Sequence, residues 1–250
     1  SAAAVLALSA SLLVGCSSGT ASSVPVSASS AAESTVSSVE ETASSAVDEN
    51  EAAAAQLLND LTGSYQELWP VILADEYKQT WLDDCTALVG EDNAEAAFEK
   101  LSSMVTGDVY GEDAVKAYAN GGGAYFCGFT NSLATLTFDG ETSTISGTDK
   151  DGNVLFSHTY HYIGMEPVRG LYEFESDDAD SGEFTYFFLA PDTSAETYHI
   201  EFRYGSDAEA LSQYDAGKYA YWLASGISTD CDQTMIDNCI ELFCTENLAG

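Results

Sequence analysis

Three histidines are the first side chains to weigh, because metal ligation and proton transfer both favour imidazole and the chain holds only His158, His161 and His199. His158 and His161 fall in one stretch that reads as a strand. Their odd separation sends them to opposite faces, so only one of the two can point into a barrel. Enzyme signatures are missing. There is no G-x-S-x-G and no H-E-x-x-H, and the glycines at 121–123 are not followed by the Lys-Ser/Thr of a phosphate loop. Asp149-Lys150-Asp151-Gly152 hints at a calcium loop, but the register puts Gly147 at the first ligand position and His158 at the last, so it reads as a turn. With 41 acidic residues, chance carboxylate pairs are guaranteed and carry no information. No catalytic constellation emerges, and a non-enzyme is expected.

Of the six cysteines, Cys16 has a context of its own. Residues 1–15 are uncharged and mostly apolar, a run too short to span a bilayer but suited to the core of a signal peptide. Leu13-Val14-Gly15-Cys16 resembles the lipobox of bacterial lipoproteins, which implies cleavage before Cys16 and lipid on its sulfur. The basic segment that normally precedes such a core is absent and the chain opens on Ser1, so the N-terminus reads as truncated. Residues 17–50, almost all Ser, Ala, Thr, Val and Glu, have little to bury and read as a disordered tether of about 30 Å root-mean-square span. The expected organisation is a signal peptide and lipobox at 1–16, a tether at 17–50 and a folded domain at 51–250, outside the cytoplasm and membrane-bound only through lipid. There Cys85, Cys127, Cys231, Cys239 and Cys244 are free to form disulfides with at least one thiol left over, and spacing alone does not choose the pairs. The lack of C-x-x-C argues against a structural zinc knuckle.

Seven basic residues against 41 acidic ones give a formal charge of −34. Nucleic acid and anionic headgroups are repelled by such a surface. Divalent cations are drawn to it diffusely, which is not a specific site.

Any site must be positioned by the elements of the folded region. Helical composition marks 51–61, 65–69, 76–88 (after a break at Pro70) and 91–104. After the glycines, segments rich in β-branched and aromatic residues at 124–129, 133–138, 142–146, 154–163, 169–174, 183–189 and 198–204 predict seven strands. Asp139-Gly140, Asp151-Gly152-Asn153 and Asp180-Ser181-Gly182 supply tight turns. Antiparallel strands at this spacing suggest a meander closing into a small barrel. Ser206 to Glu209 has the capping-box pattern for a helix through Tyr214, and apolar residues recur at helical spacing from Cys231 to Phe243.

Several segments, taken in order, resemble the ZinT family. They are Tyr186-Phe187-Phe188-Leu189-Ala190-Pro191, Glu196-Thr197-Tyr198-His199-Ile200, Tyr204-Gly205-Ser206-Asp207 and Ala210-Leu211. Upstream lie Tyr65 to Pro70, Tyr160 to Gly164 and Leu171 to Glu175, and Tyr221 to Ser228 matches the family's ending. The resemblance covers about residues 57–245. ZinT-like domains stand alone as periplasmic zinc-binding proteins or form the C-terminal half of zinc-transport lipoproteins. The resemblance therefore implies a mainly β fold, a lipocalin-like (calycin) antiparallel barrel with flanking helices, and a zinc site of three histidines. Carried over, that site falls on Phe187, Thr197 and His199, and only His199 can ligate zinc.

The resemblance thus leaves two readings. In the first, the protein captures zinc or another divalent metal ion through an altered site, possessing His199 completed by Glu196, Glu201, His158 or His161, and works with a metal-uptake transporter. More carboxylates in such a site would suit calcium or manganese better than zinc. In the second, no metal is bound, and the barrel mouth with its aromatics takes a small molecule or a surface partner.

Overall fold

A computed structural model describes residues 49–191 and 199–249. Eight strands follow one another around a closed barrel: β1 (Gly63–Glu67), β2 (Thr135–Asp139), β3 (Thr144–Thr148), β4 (Val154–Met165), β5 (Tyr172–Ser176), β6 (Tyr186–Leu189), β7 (His199–Gly205) and β8 (Ala224–Ser228). Each pairs antiparallel with the next, and β1 pairs with β8 to close the ring, which leaves no exposed sheet edge. The described part of α1 runs from 49 to 60. Between β1 and β2 lie α2 (Leu68–Ile72), α3 (Lys78–Val89), α4 (Glu91–Val105) and α5 (Glu112–Ala119). A short α6 (Ala208–Leu211) joins β7 to β8, and α7 (Gln233–Leu248) follows the barrel. The fold is a closed, lipocalin-like antiparallel β-barrel with flanking helices. Among the described residues no helix is long and apolar enough to cross a membrane.

Six of the seven predicted strands coincide with β2 to β7 to within a few residues. The other, 124–129, forms only isolated bridges through Phe126 to Thr106 and Trp222. Two strands were not foreseen. Tyr65 to Trp69 reads as helix, yet 63–67 is β1, because Tyr65 turns inward between Leu136 of β2 and Ser228 of β8. Pairing on both sides overrides a weak local preference, and the helix waits until Leu68, with Pro70 tolerated in its first turn. Strand β8 (Ala-Ser-Gly-Ile-Ser) lacks the β-branched and aromatic alternation that marks a strand. A Cβ at Gly226 would meet Ile200 Cγ1 at 3.0 Å, so the small residue lets β7 and β8 approach. Helix α5 was also not foreseen. The helix after β7 is capped by Asp207, whose side chain accepts from Ala210 N, rather than by Ser206. Asp149 accepts from the backbone N–H groups of Asp151 and Asn153, which makes 149–153 the turn its sequence suggests.

Alternation along each strand creates two cores. Inside the barrel lie Phe156, Tyr160, Phe174, Phe187, Phe202 and Tyr204, all buried. Phe187 stacks on Tyr204 at 5.3 Å between ring centres, and Phe156 stacks on Phe184 at 4.0 Å. Tyr204 fixes the 129–132 turn by donating its hydroxyl to Thr130 O and accepting from Thr130 N. The second core lies outside the wall. Ile227 of β8 packs there with Trp69, Ile72, Trp81, Cys85, Leu101, Ile240 and Cys244 from α2, α3, α4 and α7. Phe243 of α7 meets Trp69 at 4.7 Å and Trp81 at 5.9 Å, and Trp81 Nε1 donates to Ile72 O at 2.7 Å.

Two predictions follow from this packing. Phe187→Ala removes a ring with no exposed surface and is expected to cost about 3–5 kcal/mol, read as a lowered midpoint in urea unfolding with an unchanged slope. Burial also raises the thiols of Cys127 and Cys239 to about 12. A folded-state value above the unfolded one, about 8.5, means that stability is intact below that pH and falls above it as the unfolded thiols ionise. Both thiols should therefore resist alkylation at pH 8 until the protein is denatured. The melting temperature should fall between about pH 8.5 and 10, and less steeply when both are serine.

Candidate functional site

The pleat of β7 decides where its functional side chains go. Ile200, Phe202 and Tyr204 enter the barrel, so His199, Glu201 and Arg203 stand on the outer surface of the wall. His199 lies directly across from Ile227, and Glu201 across from Ser225. Helix α7 crosses above them and directs Cys239, Leu242, Phe243 and Glu246 at the wall, the i, i+3, i+4, i+7 spacing of one helix face. Together with Leu68, Trp69 and Ile72 these side chains enclose a cavity of ≈ 30 Å³ that holds one imidazole, two carboxylates and a thiol.

Two further cavities share Trp69 with the first. One, of ≈ 90 Å³, has Glu201, Phe243 and Glu246 in common with it and adds Tyr125, Cys127, Arg169 and Ser225. The other, of ≈ 330 Å³, runs past Glu67, Pro70, Val105, Phe126 and Cys127. The three lie along the seam between the barrel wall and the helices, a groove in which Trp69 is the lining residue they share. The indole Nε1 of Trp69 is buried without a hydrogen-bond partner among the described residues.

Charge is arranged with care around this groove. Arg169 and Arg203 are the only arginines of the chain, and both guanidinium groups sit over the ring of Tyr214, at 4.5 and 4.4 Å. Arg203 is fully buried and donates to the carbonyl oxygens of Leu211, Gln213 and Tyr219. Burial lowers its pKa, the neighbouring Arg169 adds to that, and Tyr214 opposes it. Glu166, also fully buried, accepts from Val168 N at 2.7 Å, Arg169 N at 2.8 Å and the Tyr214 hydroxyl at 3.2 Å. This network fixes the loop that carries Arg169 to the groove. Among the described residues the Arg169 guanidinium makes no hydrogen bond or ion pair, and its contacts are the rings of Tyr125 and Tyr214. None of Trp69, Cys127, Arg169, Arg203 and Glu246 was singled out as a site residue from the sequence. The scarcity of arginine in so acidic a chain was the one available signal.

The predicted site residues are not all brought together. His199 and Glu201 share the small cavity. His158 and His161 do not approach it. The strand register runs from His161 to Glu175, then to Tyr186, then to Gly205. His161 therefore lies three strands away, about 14 Å at the usual strand spacing, and level with the far end of β7, about 20 Å along from His199. The two histidines are engaged elsewhere: His158 Nδ1 is 2.7 Å from Asp178 Oδ2, and His161 Nδ1 is 2.7 Å from Asp177 Oδ1. The structure therefore does not bring either histidine to His199. The trio carried over from the family is not a single site either, since Phe187 points into the barrel and His199 away from it. Glu196 and Thr197 lie outside the described residues, as does Cys16 with its lipobox. Among the described residues no three His, Cys, Asp or Glu side chains converge as a metal-holding group. Stacked rings, Phe156 on Phe184 and Phe187 on Tyr204, fill part of the barrel interior, and the groove lies outside the wall.

No protein-family model matches the sequence, and no curated protein matches it. Solved structures similar to the chain include two from one bacterium. One is the Zn(II)-bound ZinT-like domain of Streptococcus pneumoniae AdcA, with 15% identity over 74% of this chain and 89% of that one, at a TM-score of 0.47. The other is Zn(II)-bound AdcA from Streptococcus pneumoniae, with 14% identity over 75% of this chain and 35% of that one, at a TM-score of 0.44.

Proposed function

We propose that this protein is an extracytoplasmic, lipid-anchored binder of a divalent metal ion, held at the outer end of β7. The observation that supports the reading is the placement of His199 and Glu201, side by side on one strand face, in a cavity whose opposite wall carries Glu246. His199, Glu201 and Glu246 offer donor types that zinc accepts, and the carboxylates also suit manganese; the three do not converge in the structure and would have to close around the ion. The thiol of Cys239 also lines the cavity, and burial raises its pKa in the metal-free protein. Glu196, three residues before His199, is a candidate for a further oxygen. The metal is cargo in this reading, delivered to an uptake transporter in the same membrane. The anchor is Cys16, in a lipobox-like setting ahead of a Ser/Ala-rich tether.

A second reading rests on Arg169. A guanidinium without a hydrogen-bond partner among the described residues, beside the apolar walls of the ≈ 90 Å³ cavity, suits a small organic anion such as an aromatic carboxylate.

Zinc titration by calorimetry on the metal-stripped protein separates these readings. One equivalent bound with micromolar or tighter affinity, weakened at least about tenfold by His199→Ala and by Glu201→Gln, is the expected outcome. Weak, multi-site binding indifferent to both substitutions would leave only the acidic surface as the attractor of zinc. Benzoate binding that is lost in Arg169→Gln would then favour the anion.

A further inference from the structure

The second core holds a pair of sulfurs that the groove does not use. Cys85, on the inner face of α3, and Cys244, in the last turns of α7, are both fully buried, and their Sγ atoms lie 3.9 Å apart. The residues around them hold the two helices in register. Phe243, next to Cys244, packs edge-on against Trp81, one turn before Cys85. The Trp81 indole is in turn tied to Ile72 O. The sulfurs are thus set in contact by packing that exists without any bond between them. A disulfide needs them to close to about 2.0 Å, a shift within reach of side-chain rotation and slight helix movement.

We propose that Cys85 and Cys244 form a disulfide that staples α7 to α3. The bond closes by thiol–disulfide exchange with a small disulfide oxidant such as oxidised glutathione. One cysteine thiolate attacks the oxidant and expels a first thiolate. The second cysteine then attacks the mixed disulfide and expels another. The two cysteines lose two electrons and two protons; the oxidant is reduced to two thiols, which take up those protons. Burial raises both thiols in the packed core, with each sulfur close to the other, so exchange is slow once α7 has docked and belongs to the folding process. The connection spans 159 positions, and constraint of so long a loop gives a large loss of unfolded-state entropy. Because α7 carries Phe243 and Glu246 to the groove, the staple would also hold one wall of that cavity. Cys127, Cys231 and Cys239 take no part in this bond.

The test is to unfold and reduce the protein, refold it in a mixture of reduced and oxidised glutathione, and measure intact mass and digest peptides without reductant. The expected result is a mass lower by two hydrogens, with the peptides containing Cys85 and Cys244 joined. The linked form should melt at least about 5 °C above the same protein reduced. The link should persist in Cys231→Ser and vanish in Cys244→Ser. The wild-type digest decides the pairing even if the Cys244 variant fails to fold. Refolded protein that keeps both thiols, or that joins another pair, overturns the proposal. So does a Cys85–Cys244 link that leaves the melting temperature unchanged, because it would not then be holding α7 in place.

Discussion

Closure of the barrel by pairing β1 with β8 is the constraint on which the remaining structure depends. It draws a strand from the start of the folded region onto one from near its end, with Tyr65, Gln66 and Glu67 across from Ser228, Ile227 and Gly226. Once the ring is closed, the two-residue pleat has a fixed meaning at every position. One set of side chains fills the interior, and the other must be solvated or covered. Four helices between β1 and β2, and α7 after β8, provide the cover on one side. The outer core and the groove are the seam between this cover and the wall.

Strand β7 shows how much one register governs. Phe202 and Tyr204 complete the aromatic stack inside, while the intervening residues His199, Glu201 and Arg203 line up outside under the helices. A slip of one residue would bury the imidazole, the carboxylate and the guanidinium among phenyl rings, where none has a partner. Arg203 makes the register specific from the outside as well, since three carbonyl oxygens of the 211–219 segment receive its donors. A buried cation of this kind in a chain of charge −34 is tolerated because both terminal nitrogens donate to carbonyl oxygens and a tyrosine face lies against it, while Nε has no partner among the described residues.

The groove differs from the ligand site usually expected of such a barrel. An interior packed with Phe156, Phe187, Phe202 and Tyr204 leaves the wall as a scaffold, and polar chemistry is gathered on its outer face. There an imidazole, carboxylates, an arginine and an indole donor sit among apolar surfaces. A partly enclosed setting strengthens each electrostatic contact relative to open water. That the same helix α7 supplies both a wall of the groove and one sulfur of the Cys85–Cys244 pair links the packing of the outer core to the shape of the site.

By itself, the sequence determined the middle of the barrel and its helical surroundings. Local signals sufficed there: β-branched and aromatic alternation in β2 to β7, Asp-Gly turns between them, and apolar helical spacing in 91–104 and 231–243. It also determined that His158 and His161 face opposite ways, since that follows from parity alone. Tertiary structure decided the rest. Strands β1 and β8 exist because each finds partners on both sides, and neither Tyr65-Gln66-Glu67 nor Ala-Ser-Gly-Ile-Ser announces a strand locally. The distance of His161 from His199 required the register of four strands, and the approach of Glu246 to Glu201 required the docking of α7. Those pairings join residues far apart in the chain. Their energies come from packing and hydrogen bonds that no short window of sequence contains.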